Sequence, residues 1–97
     1  MVYTGAKAVV TTDVAVQIST TSMKFCTGRI KGIKASGGAN SGIVYVGGSG
    51  VTAATGYPIA VGGELTLDSM ETDSWDLLDF WVVGAATDGV VYFVARR

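Results

Sequence analysis

The residue types that most often carry enzyme chemistry are scarce in this chain. Its 97 residues include no histidine and a single cysteine, Cys26. Without histidine, neither serine–histidine nor cysteine–histidine nucleophilic systems can be built, and the commonest zinc ligand sets are also excluded. Cys26 lies among alternating apolar and polar residues, which is typical of a buried thiol that acts as a small hydrophobe. The sequence therefore predicts no catalytic residue, no cofactor and a protein that is not an enzyme.

Two clusters could bind a ligand, but neither has the spacing of a known site. The acidic residues between Asp68 and Asp76 could hold calcium, yet they lack the spacing and central glycine of the EF-hand loop. The glycine cluster Gly47–Gly50 has the composition of a phosphate-binding loop, but no lysine followed by serine or threonine comes after it. We interpret the acidic segment as solvated surface and the glycine cluster as a turn, and predict no metal site.

Aromatic side chains offer a third route to a binding site. Tyr45, Tyr57, Trp75 and Trp81 could form a stacking platform for sugar rings. Large aromatics lie more often in a core or an interface, because each buries about 150–250 Å². Trp75 lies within the acidic segment, where an exposed indole would need a partner to cover it. A receptor- or glycan-binding module that uses Trp75 and Tyr57 is therefore the alternative function.

Short apolar runs between glycine clusters predict the fold. Three such runs lie at Ile43–Val46, Tyr57–Val61 and Glu64–Leu67. Glycine turns tightly at no steric cost, so the chain reverses direction about every ten residues, as in a small sandwich or barrel. The clearest period-2 alternation in the chain runs from Asp13 to Ser19 and predicts another strand.

The remaining strands follow from weaker patterns. Strands are expected at Ala6–Val10, from about Met23 onward, at Leu77–Val83 and at Val90–Ala95. In the strand after Met23, Phe25 and Ile33 are the expected core residues, and a bend is expected at Gly28 or Gly32. The last strand follows a hairpin turn at Asp88-Gly89. The fold class is therefore all-β, a jelly-roll-like antiparallel β-sandwich of roughly seven or eight short strands in one domain. Residues 13–97 form the sandwich. Residues 1–12 form an N-terminal arm that is loose in the monomer and adds to a neighbour's sheet.

Composition favours association with identical copies. Hydrophobic residues make up 48% of the chain and charged residues 15%. A domain this small buries only roughly two-thirds of its unfolded surface, so part of the apolar excess is expected to be exposed on a monomer. The net charge of −1 argues against nucleic-acid binding. No segment has the pattern of a signal peptide or a membrane span, so synthesis and folding in a cytoplasm are expected.

Motifs from residue 23 to residue 95 resemble a group of small tailed-phage virion proteins. The motifs are IVYVG at 43–47, VTA at 51–53, GYPI at 56–59 and GELTLD at 63–68, followed by an apolar run that ends at Gly84-Ala85. The resemblance implies a jelly-roll protein of the capsid decoration (cement) or head-fibre type. It further implies a homotrimer that binds the major capsid protein on the outer surface of the virion and stabilises the shell.

Charge and aromatic content then select the candidate contact residues. The first half of the chain carries most of the basic residues and the second half carries most of the acidic residues. This charge distribution could orient neighbouring copies. Two solvent-exposed charged faces with no partner explain the distribution equally well. The apolar faces of Phe80–Val83 and Val90–Phe93 are expected to build the core and part of the subunit contact. The candidate subunit and capsid contacts are Val9, Val10, Lys24, Arg29, Lys31, Tyr57, Trp75, Phe80 and Trp81.

Overall fold

Residues 2–68 and 75–96 are the residues described by this computed structural model, and they form ten strands, one turn of 3-10 helix and the loops between them. The strands are β1 Val2–Ala8, β2 Val16–Gln17, β3 Lys24–Phe25, β4 Thr27–Lys31, β5 Val44–Gly47, β6 Tyr57–Ile59, β7 Glu64–Asp68, β8 Trp75–Asp76, β9 Trp81–Val83 and β10 Gly89–Ala95. The 3-10 turn is Leu77–Asp79, between β8 and β9. The prediction of an all-β fold is confirmed.

The strands pair as one long antiparallel ribbon that is rolled into a sandwich. Along the ribbon, β1 pairs with β10, β2 with β9, β3 with β8, β4 with β7 and β5 with β6. Two further pairings, β10 with β4 and β5 with β9, complete two four-stranded sheets. The first sheet has the order β1-β10-β4-β7 and the second has the order β2-β9-β5-β6. This is the antiparallel jelly-roll arrangement that the sequence predicts.

One hydrophobic cluster holds the two sheets together. Ile30 and Val94 of the first sheet, and Val44 and Val82 of the second, are completely buried in it. Their alternation with exposed residues along β4 and β10 reflects the period of two, which sends successive side chains to opposite faces of a sheet. Phe25, a predicted core residue, is also fully buried. The core therefore positions the outward-facing residues of the first sheet.

The first predicted strands differ from the structure in their bounds. The alternation around Val16 forms a strand only at Val16–Gln17, because Asp13 adopts a positive φ of 62° and turns the chain just before it. The change of sheet after Met23 occurs at Cys26, between β3, which pairs with β8 in a separate two-stranded sheet, and β4 of the first sheet. β4 runs through Gly28 and ends at Lys31, directly before Gly32. Ile33 is partly buried and lies outside the named strands.

The predictions for residues 77–95 are partly wrong. Leu77–Asp79 forms a 3-10 turn and not the start of a strand, because the carboxylate of Asp76 accepts a hydrogen bond from the Leu78 amide and caps it. The expected hairpin between β9 and β10 does not form either. These strands lie in different sheets, because β10 pairs with β1 and β4 while β9 pairs with β2 and β5.

The predicted N-terminal arm contributes a strand to the sandwich of its own chain. Val2–Ala8 pairs with β10 over seven residues, from Val2 opposite Ala95 to Ala8 opposite Gly89. Val9 follows as a buried core residue. The prediction of an arm that is loose in the monomer is thus not what the structure shows, because β10 presents a complementary edge within the same chain.

Candidate interaction surface

The outer face of the first sheet carries apolar and charged side chains in adjacent rows. On β10, Val91 and Phe93 point outward, and on β4 Arg29 and Lys31 do the same. The register places Phe93 opposite Arg29 and Val91 opposite Lys31. Directly opposed residues of antiparallel strands share a face, so these four side chains form one patch.

The patch forms an open groove of about 390 Å³. We call it the outer-face groove, and its lining residues are Arg29, Lys31, Glu64, Val91, Tyr92 and Phe93. Phe93 is 51% exposed although it lies in an interior strand of the sheet. The Nε atom of Arg29 lies 3.7 Å from Oε2 of Glu64, and both side chains are solvent-exposed. An ion pair of this kind contributes little to stability, so the guanidinium is available to a partner.

Packing beneath the groove explains why β4 and β10 present these residues. The inward position beside Arg29 is Gly28, where a Cβ would lie 2.7 Å from Cγ1 of Val94. The inward position on its other side is the buried Ile30. The core thus requires Gly28 and Ile30 to point inward, and the period of two then fixes Arg29 and Lys31 on the outer face.

The described acidic residues of the acidic segment, Asp68 and Asp76, lie at separate places in the structure. Oδ1 of Asp68 accepts a hydrogen bond of 2.6 Å from the Thr27 hydroxyl, whereas Asp76 belongs to the 3-10 cap. Glu71 and Asp73 fall outside the described residues. Over residues 2–68 and 75–96, no group of three or more histidine, cysteine, aspartate or glutamate residues is arranged to hold a metal ion.

Asp88 is a completely buried carboxylate that holds the loop before β5. It accepts hydrogen bonds from the Ser41 amide at 2.8 Å, the Ser41 hydroxyl at 2.9 Å and the Gly42 amide at 3.2 Å. Burial opposes ionisation of Asp88, but these bonds and the charge of Lys34 outweigh it and hold the pKa of the carboxyl below its ordinary value. In this structure the Asp88 carboxylate therefore anchors the loop before β5 to the start of β10.

Asn40 extends the contact made by Asp88. Its Nδ2 donates to the Gly89 carbonyl at 2.9 Å, and its Oδ1 accepts from the Gly89 amide at 2.9 Å, as a pairing strand would. This clasp, which we define as Asn40, Ser41, Gly42, Asp88 and Gly89, was not predicted from the sequence. Asn40-Ser41-Gly42 has the composition of a flexible loop, and the distant Asp88-Gly89 has that of a hairpin turn. Nothing local links the two segments.

Asp76 is the second acid with a structural role. Its carboxylate accepts hydrogen bonds from the Ser22 hydroxyl at 2.5 Å, the Met23 amide at 2.9 Å and the Leu78 amide at 3.1 Å. Burial opposes its ionisation, yet these bonds, together with the charge of Lys24, hold the pKa of Asp76 below its ordinary value. Asp76 thus ties the β2–β3 connection to the 3-10 turn.

The predicted contact residues from the arm and the basic segment lie in different places. Val9 is buried in the core, while Val10 beside it is 74% exposed in the connection from β1 to β2. Lys24 is exposed on β3, opposite Asp76. Only Arg29 and Lys31 are brought together, in the outer-face groove.

Of the predicted aromatic contacts, Trp75 and Phe80 pack together, whereas Tyr57 and Trp81 lie on other strands. Phe80 packs between Phe25 and Trp75, at ring-centroid distances of 6.4 and 6.0 Å. The Nε1 atom of Trp75 is buried and has no hydrogen-bond partner in the described part of the chain. Trp81 is partly buried on β9, whereas Tyr57 on the edge strand β6 is 56% exposed. Trp75 and Tyr57 belong to different sheets and form no shared platform in this structure.

Phe93 and Glu64 complete the groove; Phe93 was predicted only as part of the apolar run expected to build the core and part of the subunit contact, and Glu64 was not predicted. Phe93 falls within the apolar run Val90–Phe93, and its outward orientation follows from alternation with the buried Val94. Its position opposite Arg29 depends on a register between segments more than 60 residues apart, which no local pattern encodes.

Comparison with known proteins adds no relative. No family model, no curated protein and no solved structure matches the chain. In the part of the chain that can be described, no helix is long and apolar enough to cross a membrane.

Proposed function

We propose that this protein is a structural component of a tailed-phage virion that binds the outside of the capsid as a homotrimer and stabilises the shell. The observation that supports it best is the half-exposed Phe93 beside Val91 in the outer-face groove, next to Arg29. Aromatic and arginine side chains are enriched in the cores of protein interfaces. Exposed apolar surface of this kind is typical of a contact site.

The fold and the motifs of the sequence connect this contact site with a virus particle. Jelly-roll sandwiches are common in viral capsid proteins, although a fold alone does not establish a function. The motifs between residues 23 and 95 resemble small tailed-phage virion proteins, which supplies the more specific link. A protein that binds only assembled capsid subunits stabilises the shell by mass action, because it shifts the equilibrium towards the assembled state.

Replacement of Phe93 tests the proposal. Phe93→Ser should weaken binding to empty capsids of the phage that carries the protein by at least about thirtyfold, because a buried aromatic contact is lost. The matched control is Val61→Ser, since Val61 is 49% exposed but lies outside the groove. Binding is measured by co-sedimentation with the capsids, and the circular dichroism of each variant is compared with that of the wild type.

Light scattering tests the oligomeric state separately. A trimer has a mass of about 30 kDa, three times the 10.0 kDa of one chain. A mass of 10.0 kDa at micromolar concentration, together with no binding to empty capsids, contradicts the proposal.

The exposed ring of Tyr57 favours a second candidate, a receptor- or glycan-binding module. A 56% exposed tyrosine on an edge strand can stack on a sugar ring. Under this alternative, Tyr57→Ala abolishes binding to an immobilised glycan panel and leaves the assembly and the capsid binding unchanged. Loss of capsid binding in Phe93→Ser with unchanged glycan binding in Tyr57→Ala supports the first proposal over the second.

A further inference from the structure

The first sheet has an edge strand that is long and regular. β1 spans Val2–Ala8 and pairs along its whole length with β10 on one side. On its other side, no strand among residues 2–68 and 75–96 pairs with it. An unpaired edge offers a row of backbone donors and acceptors to another strand.

The hydrogen bonds of Val9 show which backbone groups of β1 face the open side. The Val9 amide donates to the Asp88 carbonyl at 2.7 Å, and the Val9 carbonyl accepts from the Thr87 amide at 2.9 Å. Hydrogen-bonded and non-hydrogen-bonded residues alternate along an antiparallel pair, so the odd-numbered residues of β1 bond to β10. The N–H and C=O groups that point to the open side therefore belong to Val2, Thr4, Ala6 and Ala8.

This edge has few of the features that prevent pairing. β1 contains no proline, and its one charged residue, Lys7, lies on the inner face opposite the buried Val90. Natural edge strands are protected by inward charges, prolines or bulges. At the four positions whose backbone faces the open side, the side chains are small or uncharged, and they lie on the outer face together with Phe93.

We propose that β1 pairs antiparallel with β1 of a second copy of this chain, about a two-fold axis at Gly5, so that the two first sheets become one sheet of eight strands. In this register Thr4 lies opposite Ala6 of the second copy, and Val2 lies opposite Ala8. All four free residues then form hydrogen-bonded pairs, each of which exchanges two bonds. A contact of this type is isologous, as expected for a two-fold dimer.

The sequence of β1 favours a second copy as the occupant, in this register. With the axis at Gly5, Lys7 lies opposite Tyr3 of the second copy, where an ammonium group can contact an aromatic ring. An axis at Lys7 would instead place two lysines opposite each other and would leave half of the free groups unpaired. The outer face also becomes continuous, because the exposed Val2 of each copy lies at the new seam and the exposed Phe93 lies one strand away from it, opposite Thr4.

Amide hydrogen exchange measured by NMR at two protein concentrations tests the pairing without a mutation. Between about 10 µM and about 500 µM, protection of the Thr4, Ala6 and Ala8 amides should rise by at least about tenfold, because pairing with a second copy is governed by mass action. Protection of the Gly5 and Lys7 amides, which bond to β10, should not change. Equal protection of the Thr4, Ala6 and Ala8 amides at both concentrations overturns the proposal. An edge that pairs only with a different protein would give this same result.

A proline at position 6 tests the register by mutation. Ala6→Pro removes an N–H that faces the open side and leaves the β1–β10 bonds in place. The matched control, Ala6→Thr, keeps this N–H. Light scattering should give half the wild-type mass for Ala6→Pro and an unchanged mass for Ala6→Thr.

Circular dichroism of Ala6→Pro separates loss of pairing from loss of folding. A folded Ala6→Pro variant, judged by its circular dichroism, that retains the wild-type mass overturns the proposal. Should Ala6→Pro fail to fold, the exchange measurement on the wild-type chain decides. Neither experiment measures capsid binding, so the outcome is independent of the proposed function. If the chain also forms the proposed trimer, β1 pairing joins two trimers into an assembly of about 60 kDa, and Ala6→Pro returns it to about 30 kDa.

Discussion

Replacement of Asp88 by alanine should destabilise the protein more than any exposed substitution. Asp88 is completely buried, and its carboxylate accepts three hydrogen bonds from Ser41 and Gly42. Alanine removes all three, so the amides of Ser41 and Gly42 lose their partners. Of the clasp, only the two Asn40 bonds to Gly89 then still attach the loop between β4 and β5 to the start of β10.

The size of the effect follows from these bonds. Hydrogen bonds to a charged group contribute about 1.5–3 kcal/mol each, but the energy regained by no longer burying a charge offsets part of the sum. The bond from the Gly42 amide, at 3.2 Å, is the weakest of the three. We expect Asp88→Ala to lower the free energy of unfolding by about 3 kcal/mol. For a domain of this size, that corresponds to a fall of about 12–24 °C in Tm.

Urea denaturation followed by circular dichroism measures this change. The control is Asp79→Ala, since Asp79 is exposed; its effect should stay within about 0.5 kcal/mol. Ser41→Ala removes only the hydroxyl bond and should lower the free energy of unfolding by about 1 kcal/mol. The same substitution should have a smaller effect in a chain that already carries Asp88→Ala, because the bond is then already absent. A loss below about 1 kcal/mol for Asp88→Ala would refute the structural role given to the clasp.

Three further predictions concern pH and packing. Because the folded pKa values of Asp76 and Asp88 are depressed, the stability that these acids contribute is present above about pH 4 and is lost as the pH falls further. The urea midpoint should therefore drop below about pH 4, and it should drop by less in Asp88→Asn. Phe25→Ala should cost about 3–5 kcal/mol in the same assay, because Phe25 is fully buried, and a loss below about 1 kcal/mol would contradict its place in the core. Gly28→Ala should lower the free energy of unfolding by about 1–3 kcal/mol, because the new Cβ would overlap with Val94. The control Gly48→Ala should have a much smaller effect, because its Cβ would meet nothing within 4 Å. Equal Tm values for the two variants would count against the packing beneath the groove.

The sequence predicted the sandwich well because glycine clusters and period-2 runs are local signals. The runs around Val44, Tyr57 and Glu64 each form a strand close to the predicted bounds. Local patterns do not say which sheet a strand joins. Asp88-Gly89 has the composition of a hairpin turn, yet Asp88 is turned inward towards Ser41, and the chain passes from one sheet to the other there.

The candidate surface was only partly predictable for the same reason. Arg29 and Lys31 were predicted as contact residues, and both lie exposed on one face of β4, two residues apart. Their neighbour Phe93 is brought beside them by a long-range register, and Val9 is buried because β1 joins its own sheet. Composition predicted exposed apolar surface but not its position, since position depends on strand order.

The most direct test of the central claim is cryo-electron microscopy of the particle that carries this protein. Our account predicts jelly-roll density on the outer surface of the capsid in clusters of three, with Phe93 and Arg29 of the outer-face groove buried against the shell or a neighbouring copy. Particles that lack such density, or that show isolated copies with the groove open to solvent, would contradict it.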